Sequence, residues 1–212
     1  MNSKLSHGGR TFGSMVCQAC HRLTRLRVLC HRCRLLLKPA PERVLANGIR
    51  VVAAFEHSGP ARTLAHQLKY RGMVGYSELV ATTLASRVPT LPLVPLPRSR
   101  SRWVRYGVDP ALVLAKALAR RLGVPIVPAL AAPIHAKRRA GGDHSRPVTI
   151  HGLLKRPLEN VVIVDDVMTT GATLEAAVSA IGTEHVRAAV VANAVPPRFH
   201  ALRDSPSVLL ER

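Results

Sequence analysis

The chain alternates two hydrophobic rhythms. Short apolar runs such as "IRVVAAF" (49–55), "LPLVPLP" (91–97), "NVVIVDD" (160–166) and "HVRAAVVANAV" (185–195) predict strands. Between them, "ARTLAHQLKYRG", "YSELVATTLASRV", "ALVLAKALARRLG" and "GATLEAAVSAIG" carry apolar residues at helical spacing. Gly72 and Gly123 stop two of these helices. Asp109 followed by Pro110 is an N-cap with proline in the first helical turn, and Leu112, Ala115, Leu118 and Leu122 are expected on one face of the helix it starts. A brief strand "VPIV" (124–127) precedes a polar, glycine-containing segment from Pro133 to Gly152, expected to be a loop. Strand and helix alternating in this way predict an α/β fold, a doubly wound parallel sheet.

At 212 residues the chain suits one α/β domain plus a small appendage. The expected division is a basic N-terminal module over 1–40 and the α/β domain over 41–212. Lys and Arg number 31 against 12 Asp and Glu, a formal charge of +19. That excess attracts polyanions: nucleic acid, anionic membrane surface or phosphorylated metabolites. Residues 1–41 hold eight basic side chains and no carboxylate; the first acid is Glu42. No stretch approaches the roughly 18 apolar residues of a membrane span, and "MNSKLSHGGRTFGSM" has no signal-peptide core. The expectation is a cytoplasmic protein with no membrane insertion.

All four cysteines fall in "CQACHRLTRLRVLCHRC" as Cys17, Cys20, Cys30 and Cys33. Two CxxC knuckles supply the four thiolates of a tetrahedral structural Zn²⁺ site. Disulfides do not suit a cytosolic chain. "CQACH" also fits the haem-attachment pattern, but that chemistry needs an export signal. His21 and His31 each follow a cysteine and are alternative ligands. A window this short cannot bury a core, so the metal would supply most of its folding energy.

"VVIVDDVMTTGATL" (161–174) places Asp165 and Asp166 at the carboxyl end of a strand, where open α/β sheets bind ligands. The small residues that follow let backbone N–H groups converge on an anion at the next helix N-terminus. Thr169, Thr170 and Thr173 add hydroxyl donors. A phosphate in the loop, with carboxylates one step away for sugar hydroxyls or hydrated Mg²⁺, describes a ribose 5-phosphate site. No GxxxxGK[ST] loop exists in the chain, which removes an ATPase reading of the paired aspartates.

Over its full length "VVIVDDVMTTGATL" is similar to the signature with which type I phosphoribosyltransferases bind phosphoribosyl pyrophosphate. The resemblance implies that Asp165 and Asp166 hold the ribose hydroxyls and serve catalysis, and that Thr169, Thr170, Gly171, Ala172 and Thr173 hold the 5-phosphate. The order of parts, double CxxC, "LKYRG" (68–72), "VPLP" with an arginine-rich loop, then the signature, resembles the ComF family of competence-associated proteins. That resemblance implies a zinc ribbon, Mg²⁺ used with phosphoribosyl pyrophosphate, and a role in DNA uptake with single-stranded DNA and a helicase as partners. The alternative is an active phosphoribosyltransferase of nucleotide metabolism. ComF proteins usually carry Arg-Gly-Phe-Asn-Gln after the arginine-rich loop, where this chain has Tyr106 to Pro110; around the later loop Arg139, Arg146 and Thr149 are the candidate counterparts.

Arg98, Arg100, Arg102 and Arg105, with Trp103 among them, form that arginine-rich loop. Guanidinium forks suit pyrophosphate. The same residues suit single-stranded DNA, with Trp103 as a stacking platform; a packed Trp103 in a solvated basic loop is the third possibility. Lys69 and Tyr70 are candidate pocket residues, although a tyrosine at a helix end is often core.

Overall fold

The computed structural model describes residues 16–25, 28–72, 74–132, 150–153 and 158–196. The side chains of Arg100 and Arg102 lie outside that description, as do Arg139, Arg146, Thr149 and most of the segment expected to be a loop between Pro133 and Gly152.

After a short helix, α1 (His31–Leu35), the chain builds a sheet from β1 (Arg43–Val44), β2 (Arg50–Glu56), β3 (Leu93–Pro95), β6 (Val161–Met168) and β7 (Val186–Ala194). The order across these five strands is β1-β2-β7-β6-β3. The β2–β7, β7–β6 and β6–β3 pairs are parallel, and β1 is the antiparallel edge. The central strands are apolar on both faces because both faces are covered. Val52, Val162 and Val190 face α2 (Gly59–Arg71), α3 (Gly75–Leu84) and α5 (Pro110–Leu122), whereas Val51, Ile163 and Val191 face α6 (Ala172–Ile181). The α/β fold with a mostly parallel sheet is therefore as expected.

Local chemistry sets the helix ends. Asp109 Oδ1 accepts from the Leu112 N–H at 3.2 Å, so the expected N-cap is formed. Gly72 and Gly123 end α2 and α5 in the left-handed region. The buried face of α5 differs from expectation: Leu114, Ala115, Ala117 and Leu118 are buried, while Leu112 and Leu122 are only partly covered. The stripe is rotated because α5 packs against α3 and the sheet together. Truncating fully buried Leu118 to alanine would cost about 2 to 5 kcal/mol.

Other expected elements shift for identifiable reasons. The run 91–97 keeps only Leu93–Pro95 as strand, since prolines at 92, 95 and 97 lack ladder donors. "VPIV" contributes one bridge, Ile126 to Leu93. Two short strands were not expected: β4 (Leu130–Ala131) pairs antiparallel with β5 (His151–Gly152) beside α6. The helix from Tyr76 stops at Leu84, ahead of Pro89.

The arginine-rich loop is a helix. α4 spans Arg100–Tyr106 and ends at Gly107. No glycine or proline interrupts residues 98–106, and Pro97 and Gly107 bound the segment.

Candidate functional site

Two side-chain constellations stand out among the described residues. The first is sulfur. The Sγ atoms of Cys17, Cys20, Cys30 and Cys33 all lie within 4.8 Å of one another. The Cys20 and Cys30 sulfurs are 3.7 Å apart, matching the roughly 3.8 Å edge of a tetrahedron with 2.3 Å metal–sulfur bonds. Burial raises the Cys17 pKa, but N–H donors of Cys30, Cys20 and Ala19 outweigh it and bring the value down to about 6. Backbone amides aimed at a thiolate suit a metal-binding knuckle. Burial pushes the Cys33 thiol up, as do the neighbouring thiols. The donor set can hold a metal ion, and four sulfurs suit Zn²⁺. His21 is exposed with a left-handed backbone, and neither it nor His31 is among the clustered donors. The knuckles are not isolated: Cys17, Leu29 and Cys33 share a core cluster with Tyr76 and Val80 of α3.

The second constellation sits at the carboxyl edge of the sheet. β6 continues two residues beyond the aspartates, because Val167 and Met168 still pair with Asn193 and Ala194. Asp165 and Asp166 therefore occupy the strand itself, near its end. The Asp166 N–H donates to Asp165 Oδ1 at 2.8 Å. Burial, then the charge of Asp166, pushes the Asp165 pKa well above the carboxylate range. Asp166 is buried, and its enclosed Oδ2 faces Lys69 Nζ at 3.4 Å. That is ion-pair range but long for a charged hydrogen bond. The two adjacent carboxyl groups gather oxygen donors near one ammonium, and they suit a hydrated Mg²⁺ that would displace the proton Asp165 holds.

The loop after β6 is short. Thr169 and Thr170 are exposed, Gly171 is the N-cap, and Ala172 and Thr173 already belong to α6. Gly171 has φ +100°, and a Cβ there would meet Leu45 Cδ2 at 2.8 Å, so only glycine fits. With no side-chain cap from Gly171, the first turn of α6 presents backbone N–H groups; the Ala172 N–H alone turns to Thr170 Oγ1, at 3.3 Å. Arg43 of β1 braces this loop through the carbonyls of Thr169 and Val195, at 3.3 and 3.4 Å.

A buried polar network lies beside Asp166. Asn193 is fully buried; its Oδ1 accepts from the Tyr76 hydroxyl, and its Nδ2 donates to Ala61 O at 2.9 Å and to His57 Nδ1 at 3.2 Å. Every hydrogen-bonding position of that amide except one lone pair is engaged. Burial lowers the His57 pKa, the nearby Arg62 adds to this, and Asp166 opposes it. The neutral ring accepts at Nδ1 and carries its proton on Nε2. The His57 N–H also bonds Ala194 O at 2.7 Å, tying the ends of β2 and β7 together.

Lys69 thus reaches Asp166, whereas Tyr70 is 38% exposed rather than core. Tyr70 packs edge-on against Tyr106 at 4.9 Å and tilts against His66 at 4.4 Å. Arg98 turns inward: Nη1 donates to Lys69 O at 3.0 Å and to Val108 O at 2.5 Å, with the guanidinium 4.9 Å over Tyr106. It brackets α2 to the start of α5. Arg105 lies 5.4 Å from the Tyr106 ring. Trp103 is 56% exposed, which removes the packed-tryptophan alternative. His57, Asn193, Tyr76 and Arg43 were missed. Only Asn193, a polar residue inside the apolar run 186–194, offered a sequence signal.

Residues 109–200 match the family model described as phosphoribosyl transferase domain. The matched part runs from the cap of α5 through β7 and contains the aspartate pair. Among solved structures, the chain is similar to a purine phosphoribosyltransferase from Pyrococcus horikoshii, with 21% identity, a TM-score of 0.35, and coverage of 57% of this chain and 70% of that one. It is also similar to the protein TT1426 from Thermus thermophilus, with 22% identity, a TM-score of 0.35, and coverage of 62% and 86%. No curated protein matches the chain. No described helix is long and apolar enough to cross a membrane.

Proposed function

We propose that this protein binds phosphoribosyl pyrophosphate, or a related ribose 5-phosphate, at the carboxyl edge of the sheet. The observation that carries this reading is the juxtaposition of Asp165 and Asp166 with an α6 N-terminus that Gly171 leaves without a side-chain cap. The 5-phosphate would rest on the first-turn N–H groups and the hydroxyls of Thr169, Thr170 and Thr173. The carboxylates would accept from ribose hydroxyls. Bound Mg²⁺ would neutralise pyrophosphate charge and satisfy the carboxylates left unmatched by Lys69. Residues Cys17, Cys20, Cys30 and Cys33 would hold a structural Zn²⁺.

The reading extends to a ComF-like, cytoplasmic protein supporting DNA uptake, with single-stranded DNA and a helicase as partners. Exposed Trp103 within the arginine-rich α4 favours nucleic-acid contact by stacking. The alternative is a transferase in which the bond from ribose C1 to pyrophosphate breaks as one to a nitrogen nucleophile forms. Arg100 and Arg102 remain the pyrophosphate candidates in that case, with Arg98 bracing the helix that carries them. Calorimetric titration with phosphoribosyl pyrophosphate plus Mg²⁺, then with single-stranded DNA, separates these readings. Absence of any heat with the first ligand would reject the pocket. Trp103→Ala should leave stability within about 0.5 kcal/mol of the parent and weaken DNA binding by about 1 to 3 kcal/mol at fixed salt. Unchanged DNA affinity would reject stacking.

A further inference from the structure

The opposite edge of the sheet carries a second charged concavity. Arg50 opens β2, Arg187 is the second residue of β7, and Arg87 follows α3; all three line one open groove of ≈ 730 Å³. Among the described residues their one carboxylate partner is Glu42, 3.7 Å from Arg50 Nε and 3.4 Å from Arg87 Nη2. Three guanidiniums against one carboxylate leave the groove strongly positive. Arg87 is spent internally, donating to Ala53 O at 3.2 Å, where it covers the open side of β2. Arg50 is anchored by its bond to Arg87 O at 2.9 Å. Arg187 is oriented by Asn160, whose Oδ1 accepts from Nε at 2.5 Å, and among the described residues its two terminal nitrogens have no partner. Val88 and Leu91 give the groove an apolar wall.

The geometry points to a binding site for a phosphorylated ligand of nucleotide size, its phosphates on Arg50 and Arg187 and its flat moiety against Val88 and Leu91. Anchored guanidinium forks match phosphate oxygens and lose little freedom on binding. The volume exceeds what a single inorganic anion fills and falls in the range of small-ligand sites. Asn160, just before β6, and Asp166 near its end are six positions apart, roughly 20 Å of extended chain, so this site and the carboxylate edge are separate. Parallel strands start here, so the carboxyl ends of the connecting helices, α3 among them, gather at this edge. Compensation of those helix ends is what three arginines would do if no ligand bound.

The shared chemistry, a phosphate ester with a base, has two sources: a free nucleotide, or the 5′-phosphorylated end of a nucleic-acid strand. The test titrates the full chain with adenosine triphosphate and, separately, with a 5′-phosphorylated oligonucleotide at fixed salt. Hydrogen exchange on the unaltered protein locates each ligand. Protection at 86–91 and 186–188, with an affinity loss of about tenfold in Arg50→Ser and in Arg187→Ser, is expected. Arg121→Ser, an exposed charge on α5, serves as control and should change affinity little. Preference for the nucleotide identifies a free metabolite; preference for the oligonucleotide identifies a strand end. Equal losses in all three variants, protection confined to 169–175, or no binding of either ligand up to about 1 mM would overturn the proposal.

Discussion

Cys17, Cys20, Cys30 and Cys33 bring their sulfurs together from one stretch of 17 residues, whereas the side chains around Asp166 arrive from the ends of three strands and from two helices. The first site closes on itself: its donors meet wherever the two knuckles meet. The second exists only once β2, β6 and β7 are in register and α2 and α3 are packed on them. The two should therefore fail differently, the sulfur cluster through loss of an ion and the carboxylate edge through loss of tertiary order.

The largest expected effect is metal removal. Cys17, Leu29 and Cys33 belong to the core cluster that includes Tyr76 and Val80, so loosening the knuckles exposes part of that core. With the proposed zinc in place, stripping it with a strong chelator should cost on the order of 4 kcal/mol or more, about 8 to 16 °C in melting temperature for a chain of this size. Native mass spectrometry before and after chelation checks the stoichiometry. Retention of the original melting temperature in metal-free protein would show that the module folds without its ion.

The aspartates should separate stability from binding. Burial and the charge of Asp166 raise the Asp165 pKa, so the folded state holds that proton more tightly than the unfolded chain. Its contribution to stability is complete below about pH 3.8 and is lost as pH rises through the raised folded value. Asp165→Asn should therefore stabilise the protein at neutral pH, an advantage that vanishes in acid, while weakening binding of the proposed Mg²⁺-assisted ligand by about 1 to 3 kcal/mol. Asp166→Asn strips Lys69 of its partner and should destabilise by about 1 to 3 kcal/mol. Thermal melts across pH, paired with calorimetry, test both. Equal melting temperatures for the two variants at neutral pH would contradict this division of roles.

Tyr76→Phe sharpens the contrast further, because it touches the network and not the ligand. Asn193 Oδ1 loses its donor in a fully buried setting, a cost of about 1 to 2 kcal/mol. Denaturant melts should show this loss with ligand affinity unaltered, and the Cys cluster should keep its metal.

The smallest effect is the titration of His57. Its pKa is lowered in the fold, so its contribution to stability is present above about pH 6.5 and declines as pH falls through the depressed folded value. His57→Gln should flatten the pH dependence of stability in that acid limb by less than about 1 kcal/mol. Superimposable curves for the variant and the parent would assign the acid loss to other groups.

Local chemistry made much of this protein legible in its sequence. The Asp109 cap, the stops at Gly72 and Gly123 and the paired CxxC knuckles depend on contacts between residues close in the chain. The strand-to-helix turn after β6 was legible because Gly171 and its small neighbours are what such a turn requires. Tertiary packing decided the rest. It rotated the buried face of α5, turned Arg98 inward beside the locally encoded α4, and left Trp103 in solvent. It also set Lys69 against Asp166 across 97 positions of chain and gathered Arg50, Arg87 and Arg187 at the far edge. A cap or a knuckle is fixed by backbone geometry within a few residues, so sequence spacing encodes it. Contacts between distant segments depend on strand order and register, which spacing along the chain does not encode.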